Sequence, residues 1–99
     1  MVIDVMQANA EQASSLLKSL ANPARLLVLC ALLDRAHTAG ELEELVGLSQ
    51  SALSQHLARL RKEKLVTTRR DGQKIFYSLD DNDVRCILEA LHSVYCRDL

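Results

Sequence analysis

Apolar residues recur at helical spacing through roughly the first 64 positions, and beyond them the period changes to two. Ala13, Leu16, Leu17 and Leu20 predict an amphipathic helix over about 8–21. Asn22-Pro23 marks a restart, since Asn22 can cap a helix and Pro23 fits a first helical position, where a missing N–H is harmless. The next helix, about 23–35, carries LLVLCALL at its centre and is apolar nearly all round, so it is expected to be a buried spine. Thr38-Ala39-Gly40-Glu41 reads as a capping box opening a short helix that ends at Gly47. Ser49 then caps a fourth helix.

That fourth helix, within LSQSALSQHLARL (48–60), divides into two faces. Leu53, Leu57 and Leu60 form an apolar stripe. Gln50, Ser51, Ser54, Gln55 and Arg59 supply short hydroxyls, amides and a guanidinium, where an ordinary solvated helix carries Glu and Lys pairs. Ser and Gln have donors and acceptors with little bulk, which suits base edges in a major groove, and Arg is a bidentate donor for guanine or phosphate. The two helices and their short turn, 38–62, read as helix-turn-helix. A Ser/Gln-rich solvated helix is the plainer alternative.

After Lys64, LVTTRRD and QKIFYSL flank Asp71-Gly72 and predict a two-stranded hairpin over 65–79. Ile75, Tyr77 and Leu79 alternate on the face expected to lean on the helices. Arg69, Arg70, Gln73 and Lys74 gather at the tip, suited to phosphate or minor-groove contact. Asp80 or Asp81 can cap a last helix, about 82–97, striped by Val84, Ile87, Leu88, Leu91 and Val94. The fold class is therefore mainly α with a two-stranded β-hairpin: a winged helix-turn-helix in one domain over 1–99. A body this small cannot cover the apolar faces of 8–21 and 82–97, which points to a homodimer. Its two reading helices would then lie about 34 Å apart on a palindromic double-stranded operator.

The net charge of −1 argues against a polyanion partner, but its distribution argues for one. Residues 59–74 hold seven basic side chains against two acidic, whereas the rest of the chain holds five against eleven. No apolar run is long enough to span a membrane, and the N-terminus lacks the pattern of a secretory signal. Three cysteines in such a chain suggest a reducing cytoplasm. Cys30, among leucines, is either small buried filler or a reactive thiol. No Cys-X-X-Cys is present and no base stands beside Cys30 or Cys96 in sequence, so a thiol enzyme is disfavoured and no catalytic residue or cofactor is assigned. His37 is expected in a solvated loop, and His56 to pack beside the leucine stripe.

LKSLANPARLLVLCALL, TAGELEELVGLSQSALSQHLARLRKEKLV and TRRDGQKIFYSL resemble the ArsR/SmtB winged-helix repressors over about residues 16–96. The resemblance implies a dimeric, cytoplasmic, promoter-binding regulator released by an inducer. Relatives that sense arsenic or cadmium carry ELCVCDL where this chain reads AHTAGEL, so Thr38 and Gly40 stand where thiolates are needed. Those that sense zinc or nickel use Asp and His pairs on the last helix, and Asp83, Arg85, His92 and Cys96 do not supply that tetrad. No metal site is therefore assigned. Cys30 and Cys96, the latter in HSVYC, resemble the sulfide- and redox-responsive members, whose two cysteines form a disulfide or polysulfide bridge. Carried over, they are a sensing dithiol, with Cys86 a bystander. Two alternatives stay open: a metal-responsive repressor using Cys86, His92 and Cys96, and an activator that displaces a silencing protein.

Overall fold

A computed structural model describes residues 1–80 and 82–96. Among the described residues, five helices form a body from which a small sheet projects: α1 (Val2–Leu20), α2 (Pro23–Ala31), α3 (Ala39–Val46), α4 (Gln50–Lys62) and α5 (Asn82–Tyr95). The strands are β1 (His37–Thr38), β2 (Val66–Asp71) and β3 (Lys74–Leu79), in antiparallel order β1-β3-β2. The hairpin expected from sequence is therefore the larger part of a three-stranded sheet. His37 pairs with Tyr77 and Thr38 with Phe76, which pins the wing to the start of α3. This also corrects the solvated placement of His37, which is 6% exposed with Nδ1 3.3 Å from Glu41 Oε1.

The helix ends form as their residues dictate. Asn22 Oδ1 accepts from Arg25 N–H, with Pro23 at the first helical position. Thr38 and Glu41 close the capping box reciprocally, and Gly47 ends α3 at φ +76°, a conformation that disfavours a Cβ. Ser49 Oγ accepts from Ala52 N–H at the start of α4. The far end of α4 carries no glycine to announce it. Leu65 N–H bonds Leu60 O and Lys64 N–H bonds Arg61 O, a Schellman turn in which Lys64 takes φ +63°. Leu60 and Leu65, both buried, supply its apolar contact.

Helix boundaries depart from the expectation in three places. α1 begins at Val2 rather than near 8 and leaves Val2, Ile3, Val5, Met6 and Leu17 exposed. α2 stops at Ala31 instead of about 35, because Leu32 and Leu33 tighten into bonds to Leu29 O and Cys30 O. Leu32 thereby enters the core, and Leu33 O accepts from Arg85 Nη1 of α5 at 2.9 Å. Leu27, on the supposed all-buried spine, is 54% exposed. α5 ends at Tyr95, so the expected boundary at 97 and an Asp81 cap lie outside the described residues.

The core joins Val28, Leu29 and Leu32 of the second helix region to Leu42, Leu53, Leu57, Leu60, Val84 and Leu88. The stripe read from α4 is thus the inward face of that helix. α1 reaches the body mainly at its C-terminal end, through Leu16 and Leu20. There Arg25, itself buried, donates from Nε to Ser19 O at 2.9 Å and from Nη2 to Lys18 O at 3.3 Å. These carbonyls belong to a helix end, where a cation is favoured. Arg25→Ala should lower the unfolding free energy by about 2–3 kcal/mol, since it removes two charge-assisted bonds and leaves the buried Ser19 carbonyl without that donor. Thr38→Ala, which removes only a cap, should lower it by about 1 kcal/mol. Urea unfolding of both variants checks the ordering.

Candidate nucleic-acid interface and thiol pair

Gln50, Ser51, Ser54, Gln55 and Arg59 are all exposed on α4, opposite Leu53, Leu57 and Leu60. The inward leucines fix the rotation of the helix, and so decide which residues face out. His56 is half-buried beside the stripe, as expected. Arg59, however, is engaged: its Nε donates to Glu63 Oε1 at 2.9 Å, while the side chain stays 50% exposed. Glu63 also accepts from Ser19 Oγ of α1. Burial opposes ionisation of Glu63, but the bonds from Ser19 and Arg59 and the charges of Arg59 and Arg25 hold its pKa below the usual carboxylate value. Sequence reasoning misses this set of contacts. One signal is present, a lone acid interrupting the basic run from Arg59 to Lys64.

The wing follows directly on α4. Its turn residues are Gly72 and Gln73, since Asp71 pairs with Lys74, and Gly72 takes φ +66°. Register separates the two arginines grouped in sequence. Val66, Thr68 and Arg70 oppose Leu79, Tyr77 and Ile75 on the face whose base packs on the core. Thr67, Arg69 and Asp71 lie on the other face, opposite Ser78, Phe76 and Lys74. Arg69 stands over the Phe76 ring, 5.2 Å from its centroid, with Nη1 3.9 Å from Asp71 Oδ2. Arg70 has no such partner among the described residues. Ile75, expected to lean on the helices, is 43% exposed, because its position lies beyond the reach of the helical body. Gln73 and Lys74 are exposed at the tip.

The three cysteines are unpaired. Cys30 is half-buried on α2 against the core and lines a groove of about 410 Å³ with Leu27, Ala31, His37 and Leu45. Burial pushes its thiol above the ordinary range, and the charge of Cys96 beyond the end of α5 pushes it further. Cys30 and Cys96 therefore share an electrostatic neighbourhood despite their separation in sequence. Cys86 is exposed on α5. Among the described residues, no three of His, Cys, Asp and Glu are grouped so as to hold a metal ion.

No helix among the described residues is long and apolar enough to cross a membrane. Residues 22–68 match the model of the bacterial regulatory protein, arsR family. The chain is 47% identical over 97 residues to the transcriptional activator HlyU of Vibrio cholerae, covering 98% of this chain and 90% of that one. Its fold is similar to the crystal structure of the transcriptional repressor BigR from Xylella fastidiosa, with a TM-score of 0.91 at 36% identity over 97% of this chain and 98% of that chain. It is also similar to the homodimeric winged helix-turn-helix DNA-binding domain of Mb0332 from Mycobacterium bovis, with a TM-score of 0.77 at 26% identity over 92% of this chain and 84% of that chain. The chain belongs to the arsR family and is a winged helix-turn-helix transcriptional regulator.

Proposed function

We propose that this regulator is a dimeric repressor that binds a palindromic operator and leaves it when Cys30 and Cys96 are bridged. The observation that carries the DNA-reading half is the small polar face of α4, continuous with a basic wing. Gln50, Ser51, Ser54, Gln55 and Arg59 face the major groove, while Arg69, Arg70, Gln73 and Lys74 serve the backbone or minor groove. The exposed apolar residues of α1, together with Val94 and Tyr95 of α5, support a dimer that buries these helices.

The sensing half is supported by the effect of Cys96 on the Cys30 thiol. A direct disulfide withdraws two electrons and two protons from the pair, which an oxidant accepts. With a sulfane-sulfur donor, one sulfur atom enters the bridge and a second leaves as hydrogen sulfide. Either bridge fixes α2 to the end of α5 and repacks the helices that space the two reading heads. A second reading, activation by displacing a silencing protein, is favoured by the similarity to the Vibrio cholerae activator. Operator binding is common to both, and transcription from a promoter with and without a silencer separates them.

Ser54→Ala and Gln55→Ala should relax base preference while leaving the salt dependence of binding in place. Arg70→Ala should weaken binding to all sequences and lower the salt slope by about 0.9 for each phosphate no longer neutralised. Fluorescence anisotropy over a salt series checks both, and an unchanged Arg70→Ala slope refutes the wing assignment. Treatment with a sulfane-sulfur donor should add sulfur across Cys30 and Cys96 by intact mass and release the operator, with Cys30→Ser retaining DNA. Retained affinity after modification leaves the thiols structural. The raised Cys30 pKa has a kinetic sign as well. Its thiolate fraction at neutral pH lies below that of an ordinary cysteine, so alkylation of Cys30 should be slower there and should level off at a higher pH than for an ordinary thiol. Cys96→Ser should move that profile to lower pH by removing the neighbouring charge, as read by iodoacetamide labelling against pH.

A further inference from the structure

Local rules argue against an acid at position 63. Glu63 is the C-cap of α4, an end at which the helix dipole favours cations. Arg59 before Glu63 is also the weaker order for a pair four residues apart. Tertiary contacts offset both penalties: Ser19 Oγ donates to Oε2 from α1, and the charge of Arg25 lies close by. Arg59 Nε takes the other oxygen. The terminal nitrogens of Arg59 have no hydrogen-bond partner among the described residues. Arg59 follows Gln55 by one turn, toward the end of the helix, whereas base edges are read mainly from the N-terminal part of a recognition helix.

We infer that Glu63 is a positioning residue: it holds Arg59 ready for a backbone phosphate, and through Ser19 it makes that contact depend on the seating of α1. The inference rests on the DNA-binding reading above and deepens it, assigning Arg59 to phosphate rather than to a base edge. Fixing the guanidinium in advance lowers the entropy lost when it meets the DNA. Displacement of α1 removes the Ser19 hydroxyl from Oε2, loosens the carboxylate and releases Arg59 with it. A change at the α1 face thereby reaches the reading helix through one side chain.

The wild-type protein first selects duplexes from a random-sequence pool. Absence of enrichment overturns the DNA reading, and this inference with it. On a selected duplex, Ser19→Ala, Arg59→Ala and their combination are compared by anisotropy at several salt concentrations. Arg59→Ala should lower the salt slope by about 0.9 per phosphate and leave base preference intact. Ser19→Ala changes no charge, yet it should weaken binding about threefold to tenfold when Arg59 is present and by less than about twofold when Arg59 is absent. Equal weakening in the two backgrounds, or none in either, overturns the inference. Glu63→Gln decides the matter should Ser19→Ala unfold the chain. It removes a negative charge beside the DNA, so electrostatics alone gives tighter binding, whereas loss of positioning gives weaker binding. Tighter binding overturns the inference.

Discussion

Burying a guanidinium away from water is costly unless its protons find acceptors, and Arg25 finds them at the end of α1. The carbonyl of Ser19 needs a donor because no further helical turn follows, and that of Lys18 takes Ala21 N–H as well as Arg25. One side chain from the first turn of α2 therefore ends α1 and anchors it to the body. The rest of the arrangement depends on that anchor. It sets Ser19 facing Glu63, and Glu63 in turn holds Arg59 on the outward face of α4. The long N-terminal reach of α1 adds little packing of its own within the chain. Leu16, Leu20 and this polar junction carry the connection.

The elements legible in the sequence are those specified by neighbours in the chain. Asn22 with Pro23, Thr38 with Glu41, and Ser49 with the leucines after it are local signals, and each forms as read. Features decided by distant partners are not legible. β1 is two residues long and exists only because Tyr77 and Phe76 come alongside it. His37 is buried by that pairing, although nothing beside it in sequence is apolar enough to suggest it. α2 gives up its last turn so that Leu32 can enter the core, an override of helix periodicity by packing.

The candidate site divides in the same way. Which residues of α4 face outward follows from the leucine stripe, and the structure keeps all five exposed. What each exposed group is bonded to does not follow. Arg59 and Glu63 pair within one helix, but the Ser19 contact spans 44 positions. The two wing arginines are adjacent in sequence, and only the strand pairing tells them apart. Register gives Arg69 a ring and an acid, and leaves Arg70 without either. The effect of Cys96 on Cys30 likewise depends on how the end of α5 returns toward α2, which spacing alone does not reveal.

The turn at Lys64 has a thermodynamic consequence. A lysine in the left-handed region persists only where the surrounding contacts over-determine it, and Leu60, Leu65 and two backbone bonds do so here. This turn joins the hairpin to α4, while the β1 pairing at Phe76 and Tyr77 ties it to the start of α3. A wing tied to both helices is ordered before it meets a ligand, and folding on docking is not required of it. The heat-capacity change of binding then measures only the surfaces brought together, without the added contribution of a segment folding as it docks.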